Sequence, residues 1–355
     1  MGRSRIVTIS FALAFALCPS VVMGQASDQA MVIGIIDFYG LKQLSPEVAR
    51  AALTFSEGDT ISFSSDDRPA FMATSEARLT ALPGVSHARI SLVCCDNGRA
   101  IAYVGIQERD AKTVSFRPAP RGDSRLASDI TQAGAELEKA WMAAVERGDA
   151  GEDRSQGHSL AHDPAVRAIQ DRFLIYAKRD HAELRHVLGA SSDAAERALA
   201  AEVLGYAPDK SAVVGDLVYA MGDSSEGVRN NAMRALLVIA DMAPSSNKPV
   251  PHIPLDPFLA LLYSPVWTDR NKASGALAAL TRNRDPESLD AIRKQGIPPL
   301  AEMARWKSEG HAQAAFLILG RMAGYSDEAA LDLWQQGKRE VVITAAVRMR
   351  KPDRE

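Results

Sequence analysis

The chain has 355 residues, of which 46% are hydrophobic and 24% charged, enough apolar material for one large core or two moderate ones. Its formal charge is −3, falling by two to −5 if Arg3 and Arg5 leave with an N-terminal leader, so a mildly acidic chain of this kind is not expected to bind nucleic acid. Of its three cysteines, Cys18 lies in the N-terminal apolar run, and the adjacent pair Cys94 and Cys95 cannot build a disulfide framework.

Residues 1–26 begin with Arg3 and Arg5, continue as an apolar run over 6–17, and end near the small residues Gly24 and Ala26. That is the pattern of a secretory signal peptide, with cleavage expected after Gly24 or Ala26. The run is broken by Pro19 and is shorter than the roughly 20 residues of a permanent span. Acylation at Cys18 is disfavoured because Leu17 stands where a small residue should precede it. No later segment holds about 18 consecutive apolar residues, so the mature chain is expected to carry no membrane span and to work in a periplasm or otherwise outside the cytoplasm.

Residues 30–109 read as an α+β domain. The apolar, β-branched run 31–38 predicts a strand closed by Tyr39 and Gly40, and Ser45-Pro46 predicts the cap and first turn of a helix over about 45–55. A second helix is expected over about 66–82, stopped by Pro83 and Gly84. Residues 85–93 alternate, with Ile90 and Leu92 on one face and Arg89 and Ser91 on the other, as a half-buried strand does. Asp96-Asn97-Gly98 predicts the turn into a second alternating strand over 99–107. Adjacent cysteines can close a strained ring in an oxidising compartment, but the favoured reading is strand alternation, which would send one of Cys94 and Cys95 toward the core and the other toward solvent. The order strand, helix, helix, strand, strand, with "EGD" at Glu57–Asp59, "LPGV" at Leu82–Val85 and "VGIQE" at Val104–Glu108, resembles the polypeptide-transport-associated (POTRA) domain of bacterial envelope proteins. The resemblance implies a docking module whose free sheet edge pairs with a partner strand.

Residues 110–162 read as a connector. "RPAPR" at 117–121 predicts an extended linker, and Leu126, Ile130, Ala133, Leu137, Trp141 and Val145 predict a helix over about 123–147. His158 and His162 in "HSLAH", followed by Asp163, have an i, i+4 spacing that chelates a metal if the stretch is helical; Asp163-Pro164 equally reads as a plain helix start.

Residues 163–355 are helix-forming almost throughout. Aligning Arg197, Arg229, Arg270 and His311 superposes Ala200, Ala232, Ala273 and Ala314, and then Leu204, Leu236, Leu277 and Ile318, at intervals of 32, 41 and 41 residues. Stacked helix pairs have such periods. "GVRNNAMRALLVIA" at 227–240 resembles the second helix of a HEAT repeat of the PBS-lyase type, with "DRNKASGALAAL" at 269–280 and "RALAAEVLG" at 197–205 similar to it, while the last copy departs by carrying His311. The resemblance implies a curved all-α solenoid. The proline-rich insert 243–257 is expected to be a rim loop.

Polar residues in the repeats beyond what stacking needs are Arg229, Asn230, Asn231, Asp269, Arg270, Asn271, Lys272, Glu302, Arg305, Trp306 and His311, which form a candidate partner-binding face. The competing reading is that such groups bond between successive repeats or cap neighbouring turns. No phosphate loop and no G-x-S-x-G elbow occurs. The expectation is a predominantly helical, non-enzymatic envelope scaffold without a cofactor, meeting another envelope protein. A metal-dependent hydrolase or lyase-like enzyme using His158, His162 and Asp163 is one alternative. A cell-wall binder using Trp267, Trp306 and Trp334 is another.

Overall fold

A computed structural model of the chain describes residues 29–63, 68–242 and 250–349. The expected signal peptide, and residues 243–249 of the proline-rich insert, lie outside them; the rest of the insert is irregular up to residue 255, where it gives way to a helix. Strand β1 (Gln29–Tyr39) leads to helix α1 (Pro46–Ala51), where the Ser45 hydroxyl accepts the Val48 amide and so satisfies one of the N–H groups a helix start leaves unpaired. Strand β2 (Thr60–Phe63), helix α2 (Ala70–Thr80), and the hairpin of β3 (Val85–Asp96) and β4 (Arg99–Glu108) follow. Asn97 and Gly98, both at positive φ, make the two-residue turn. The sheet order is β2-β1-β4-β3, with β1 parallel to β4 and antiparallel to β2. The expected strand, helix, helix, strand, strand order thus holds with one addition, the four-residue β2, which pairs with the start of β1. Cys94 and Cys95 are both exposed and joined to each other by a disulfide, so neither faces the core as strand alternation alone would have it.

One face of this sheet, with Ile33, Ile90, Ala102 and Val104, is covered by Ala49 and Leu53 of and after α1 and by Met72 and Leu79 of α2. The other face, with Tyr39, Val93, Ile101 and Tyr103, belongs to the core of the helical part. Both faces are therefore covered, and β4 is buried almost continuously from Ala100 to Ile106 instead of alternating. Strands covered on two sides lose the apolar–polar alternation of half-exposed ones.

Helix α3 (Ser128–Glu146), starting later than residue 123, is followed by the small ladder of β5 (Glu152–Asp153) and β6 (Leu160–Ala161) and by α4 (Pro164–Arg179). Helices α5 (His181–Ala190), α6 (Ala194–Leu204), α7 (Ser211–Ala220), α8 (Glu226–Ala240), α9 (Asp256–Leu261) and α10 (Trp267–Leu280) continue the chain. Helices α11 (Pro286–Gln295), α12 (Ile297–Met303), α13 (Glu309–Met322), α14 (Asp327–Gln335) and α15 (Arg339–Arg348) complete it. Helices α6, α8, α10, α13 and α15 form a row in which each touches the next. The aligned alanines and leucines supply its contacts: Ala200, Ala232, Ala273, Leu204, Leu236, Leu277 and Ile318 are fully buried. Small residues let the axes approach, leucines fill the layer between, and no pair closes its apolar face alone. This is a helical repeat array. No helix of the described residues is long and apolar enough to cross a membrane.

The segment joining the two parts is extended, and it is fixed along the array. The Arg117 amide donates to the Gly222 carbonyl, Gly122 exchanges bonds with Ala190 and Ser192, and the Leu126 amide donates to Glu196. It carries the chain from the late repeats, where the sheet sits, back to the first, where α3 packs on α4.

Candidate functional site

The aligned arginines form a ladder. Arg197 grips the Asp223 carboxylate with Nε and Nη2, both at 2.8 Å, and donates from Nη1 to the Ser191 carbonyl six residues back. Arg229 does the same to Asp269, at 2.9 and 2.8 Å, and to the Asp223 carbonyl six residues back. Arg270 donates to the Ser264 carbonyl, again six residues back, and reaches Glu302 at 2.8 Å. Arg197, Arg229 and Asp269 are almost fully buried. The fork of a guanidinium matches a carboxylate in two places, which fixes one repeat against the next. Most of the expected partner face is thus internal: Asn230 and Asn231 bond each other, Asn231 also reaches the Ala198 carbonyl, and Asn271 and Lys272 are buried. The competing reading, bonds between successive repeats, describes Arg229, Asp269 and Asn231.

At the fourth position, where arginine is replaced, the sheet takes over. His311 Nδ1 lies 2.8 Å from the Tyr103 hydroxyl, Tyr103 stacks on Trp267, and Trp306 lies against both Tyr39 and Tyr103. Burial pushes the His311 imidazole down to about 4, with the Lys272 charge adding to the push, so the ring is neutral at ordinary pH. The Tyr39 hydroxyl donates to the Pro265 carbonyl at 2.8 Å, and the Lys307 amide donates to Asp37 at 2.8 Å. Two glycines permit this seam. A Cβ on Gly105 would fall 2.0 Å from the Pro265 oxygen, and Gly40, at φ +82°, would put one 2.1 Å from the Ile106 oxygen.

The sheet edges expected to pair with a partner are occupied at two positions. On β3, the Ile90 amide donates to Glu76 and its carbonyl accepts Arg68, two residues that pair with each other. On β1, the Ile36 amide donates to Glu57 and its carbonyl accepts the Lys307 ammonium. Side chains that fill edge positions block strand addition there. Docking by a free edge is therefore corrected for these positions. The "EGD" and "VGIQE" motifs have structural duties here. Glu57 holds β1, and Glu108 accepts the amides of Lys42, Gln43 and Leu44.

Between sheet and array lies a cleft of about 390 Å³. It brings together four of the expected residues, Arg270, Glu302, Arg305 and Trp306, with Lys42 and Lys112 at its rim and Leu41, Ile106, Tyr263 and Pro299 in its walls. Glu302 is engaged by the Gly40 amide at 2.7 Å and by Arg270, whose guanidinium lies over the Tyr39 ring. Arg305 pairs with Glu340 on the outside. Lys42, Lys112 and Tyr263 were not legible as site residues, because they lie in loops far apart in sequence and carry no motif.

Elsewhere, residues 157–159 and 162 are neither helix nor strand and 160–161 form β6, so His158 and His162 do not share a helical face. In extended backbone four residues span about 13 Å, too far for two ligands of one ion. His158 lies against Tyr206, and Asp163 caps α4 through the Ala165 and Val166 amides while pairing with Arg147. Among the described residues no group of three His, Cys, Asp or Glu side chains is placed to hold a metal. The tryptophans of the cell-wall alternative, Trp267, Trp306 and Trp334, are buried. The charged stretch after α3 instead builds an ion cluster, in which Glu152 accepts Arg154 and Arg234. Burial raises the Glu152 carboxyl, but the two guanidinium groups outweigh it and hold it at about 2.

A second groove, of about 330 Å³, runs between α8, α10 and α13 over Leu237, Gly275, Ala278 and Leu317. Its rim cations are matched by rim acids: Arg154 and Arg282 pair with Asp241, and Arg321 with Asp327.

Comparison of the sequence with protein-family models and with curated proteins finds no match. Among solved structures the chain is similar to a computationally designed armadillo repeat protein for modular peptide recognition, at 16% identity and a TM-score of 0.33, over 53% of this chain and 94% of that one. A likeness at that score carries no argument, and the repeat architecture rests on the helix row and the arginine ladder themselves.

Proposed function

We propose that the chain is a non-enzymatic interaction scaffold of the bacterial envelope, which holds a protein partner in the cleft between its sheet and its repeats. The observation that carries this reading is the cleft itself. The repeats spend most of their unusual polar residues on internal bonds, whereas Arg305, Lys42 and Lys112 stay exposed around an apolar wall. A concave site with a few placed polar groups at a seam between two units is where ligands bind. The α+β domain is read as POTRA-like from its element order and its hairpin. In this proposal it acts as a fixed wall of the site, its edges being filled at Ile36 and Ile90. Export rests on the basic, apolar and small-residue pattern of residues 1–26.

Cross-linking in intact cells with identification of the captured protein tests the proposal. A single envelope protein captured by the wild type and lost when Pro298 and Arg305, both exposed in the cleft, are replaced by alanine supports it. Capture unaffected by those changes, or catalytic turnover by the purified chain, contradicts it.

A further inference from the structure

We propose that the cleft takes an acidic, partly apolar peptide segment of its partner, an inference that rests on the scaffold reading above and names what the partner must present. Two carboxylates line the cleft, and both are engaged within the chain: Asp37 accepts the Lys307 amide and feels the Lys307 charge, and Glu302 accepts the Gly40 amide and Arg270. Of the four cations, Arg270 is neutralised by Glu302 and Arg305 by Glu340.

Lys42 and Lys112 remain. The Lys42 ammonium forms no ion pair among the described residues, although its charge acts on the Glu108 carboxylate, and that of Lys112 lies 4.6 Å over the Tyr263 ring and 3.4 Å from the Gln295 amide oxygen, neither of which is an ion pair. The cleft therefore presents two ammonium groups outside any ion pair at the rim of an apolar wall.

The second groove sets the contrast. It is of similar size, but its arginines are each matched by an acid, so it offers no excess charge to a ligand. Opposite charges across an interface select the partner and speed the encounter, while the apolar wall supplies the area that excludes water.

The test uses the purified protein and a fluorescent decapeptide of alternating glutamate and leucine, with the same peptide carrying glutamine for glutamate as control, read by anisotropy. The expected result is saturable, salt-sensitive binding of the glutamate peptide that weakens about tenfold or more in the K42E/K112E double variant and is unchanged in Arg282→Glu in the second groove. Both lysines are exposed, and an unchanged thermal melt verifies that the double variant is folded. Equal binding of the glutamine peptide, undiminished binding by K42E/K112E, or displacement of the peptide by anionic phospholipid vesicles overturns the inference. In-cell cross-linking separates this result from the scaffold reading. A partner captured equally by wild type and K42E/K112E removes the acidic segment and leaves the scaffold. A wild type that captures no partner removes the scaffold.

Discussion

Arg229 is held by two bonds to a carboxylate that has no exposure at all, and this makes it the most heavily committed charge in the array. Removing one member of such a pair strands the other in a poorly polarisable interior. Arg229→Ala should therefore lower the unfolding free energy by roughly 3–5 kcal/mol. Arg305→Ala, whose partner Glu340 is largely exposed, should cost less than about 1 kcal/mol, and urea denaturation of the two variants compares them. The buried bases give stability a pH dependence. His311 is pushed from 6.5 to about 4 by burial, so as pH falls the unfolded chain takes its proton first. Stability present above pH 6.5 is lost between about 6.5 and 4. Lys272 is lowered from 10.5 to about 7, by burial and then by the charges of Arg234 and Arg154. Between those values the unfolded chain again holds more protons, so stability climbs as pH rises from about 7 toward 10.5. Urea midpoints measured against pH should show both slopes, with His311→Gln removing the acid loss and Lys272→Met the alkaline climb.

Among the elements, those whose signal is local were legible in the sequence. The helix row follows from alanines and leucines recurring at fixed offsets from Arg197, Arg229 and Arg270, and the hairpin from Asn97-Gly98 between apolar runs. Strand β2 was not legible, because four residues are too short to display a period. The two-sided burial of β4 was not either, since its second face is covered by α10 and its neighbours, distant in sequence. The same holds for the candidate site. Arg270, Glu302, Arg305 and Trp306 were singled out by residue type, but the Tyr103–His311 contact joins positions 208 apart and has no sequence signature. The expected binding face proved mostly internal because a polar residue on a repeat helix looks the same whether it faces solvent or the next repeat. Gly105 tests how tightly β4 is seated. Gly105→Ala would drive a methyl group into the Pro265 carbonyl and the Tyr39 ring. It should cost roughly 1–3 kcal/mol and open the segment 110–127 to limited proteolysis.

For the whole molecule, the seam ties a sheet near the N-terminus to the late repeats while the connecting segment ties it back to the early ones. A chain closed on itself in this way should unfold as one unit, so tryptophan fluorescence and far-UV circular dichroism should give coincident urea transitions. The same closure makes the cleft a preorganised site, with walls that need no ordering when a partner arrives. The most direct test of that claim is to place a photo-cross-linking residue at Pro298, exposed in the cleft, and separately at Glu328, exposed in the second groove, in living cells. One envelope protein should be captured at Pro298 and not at Glu328. Capture at Glu328 alone, or at neither position, would contradict it.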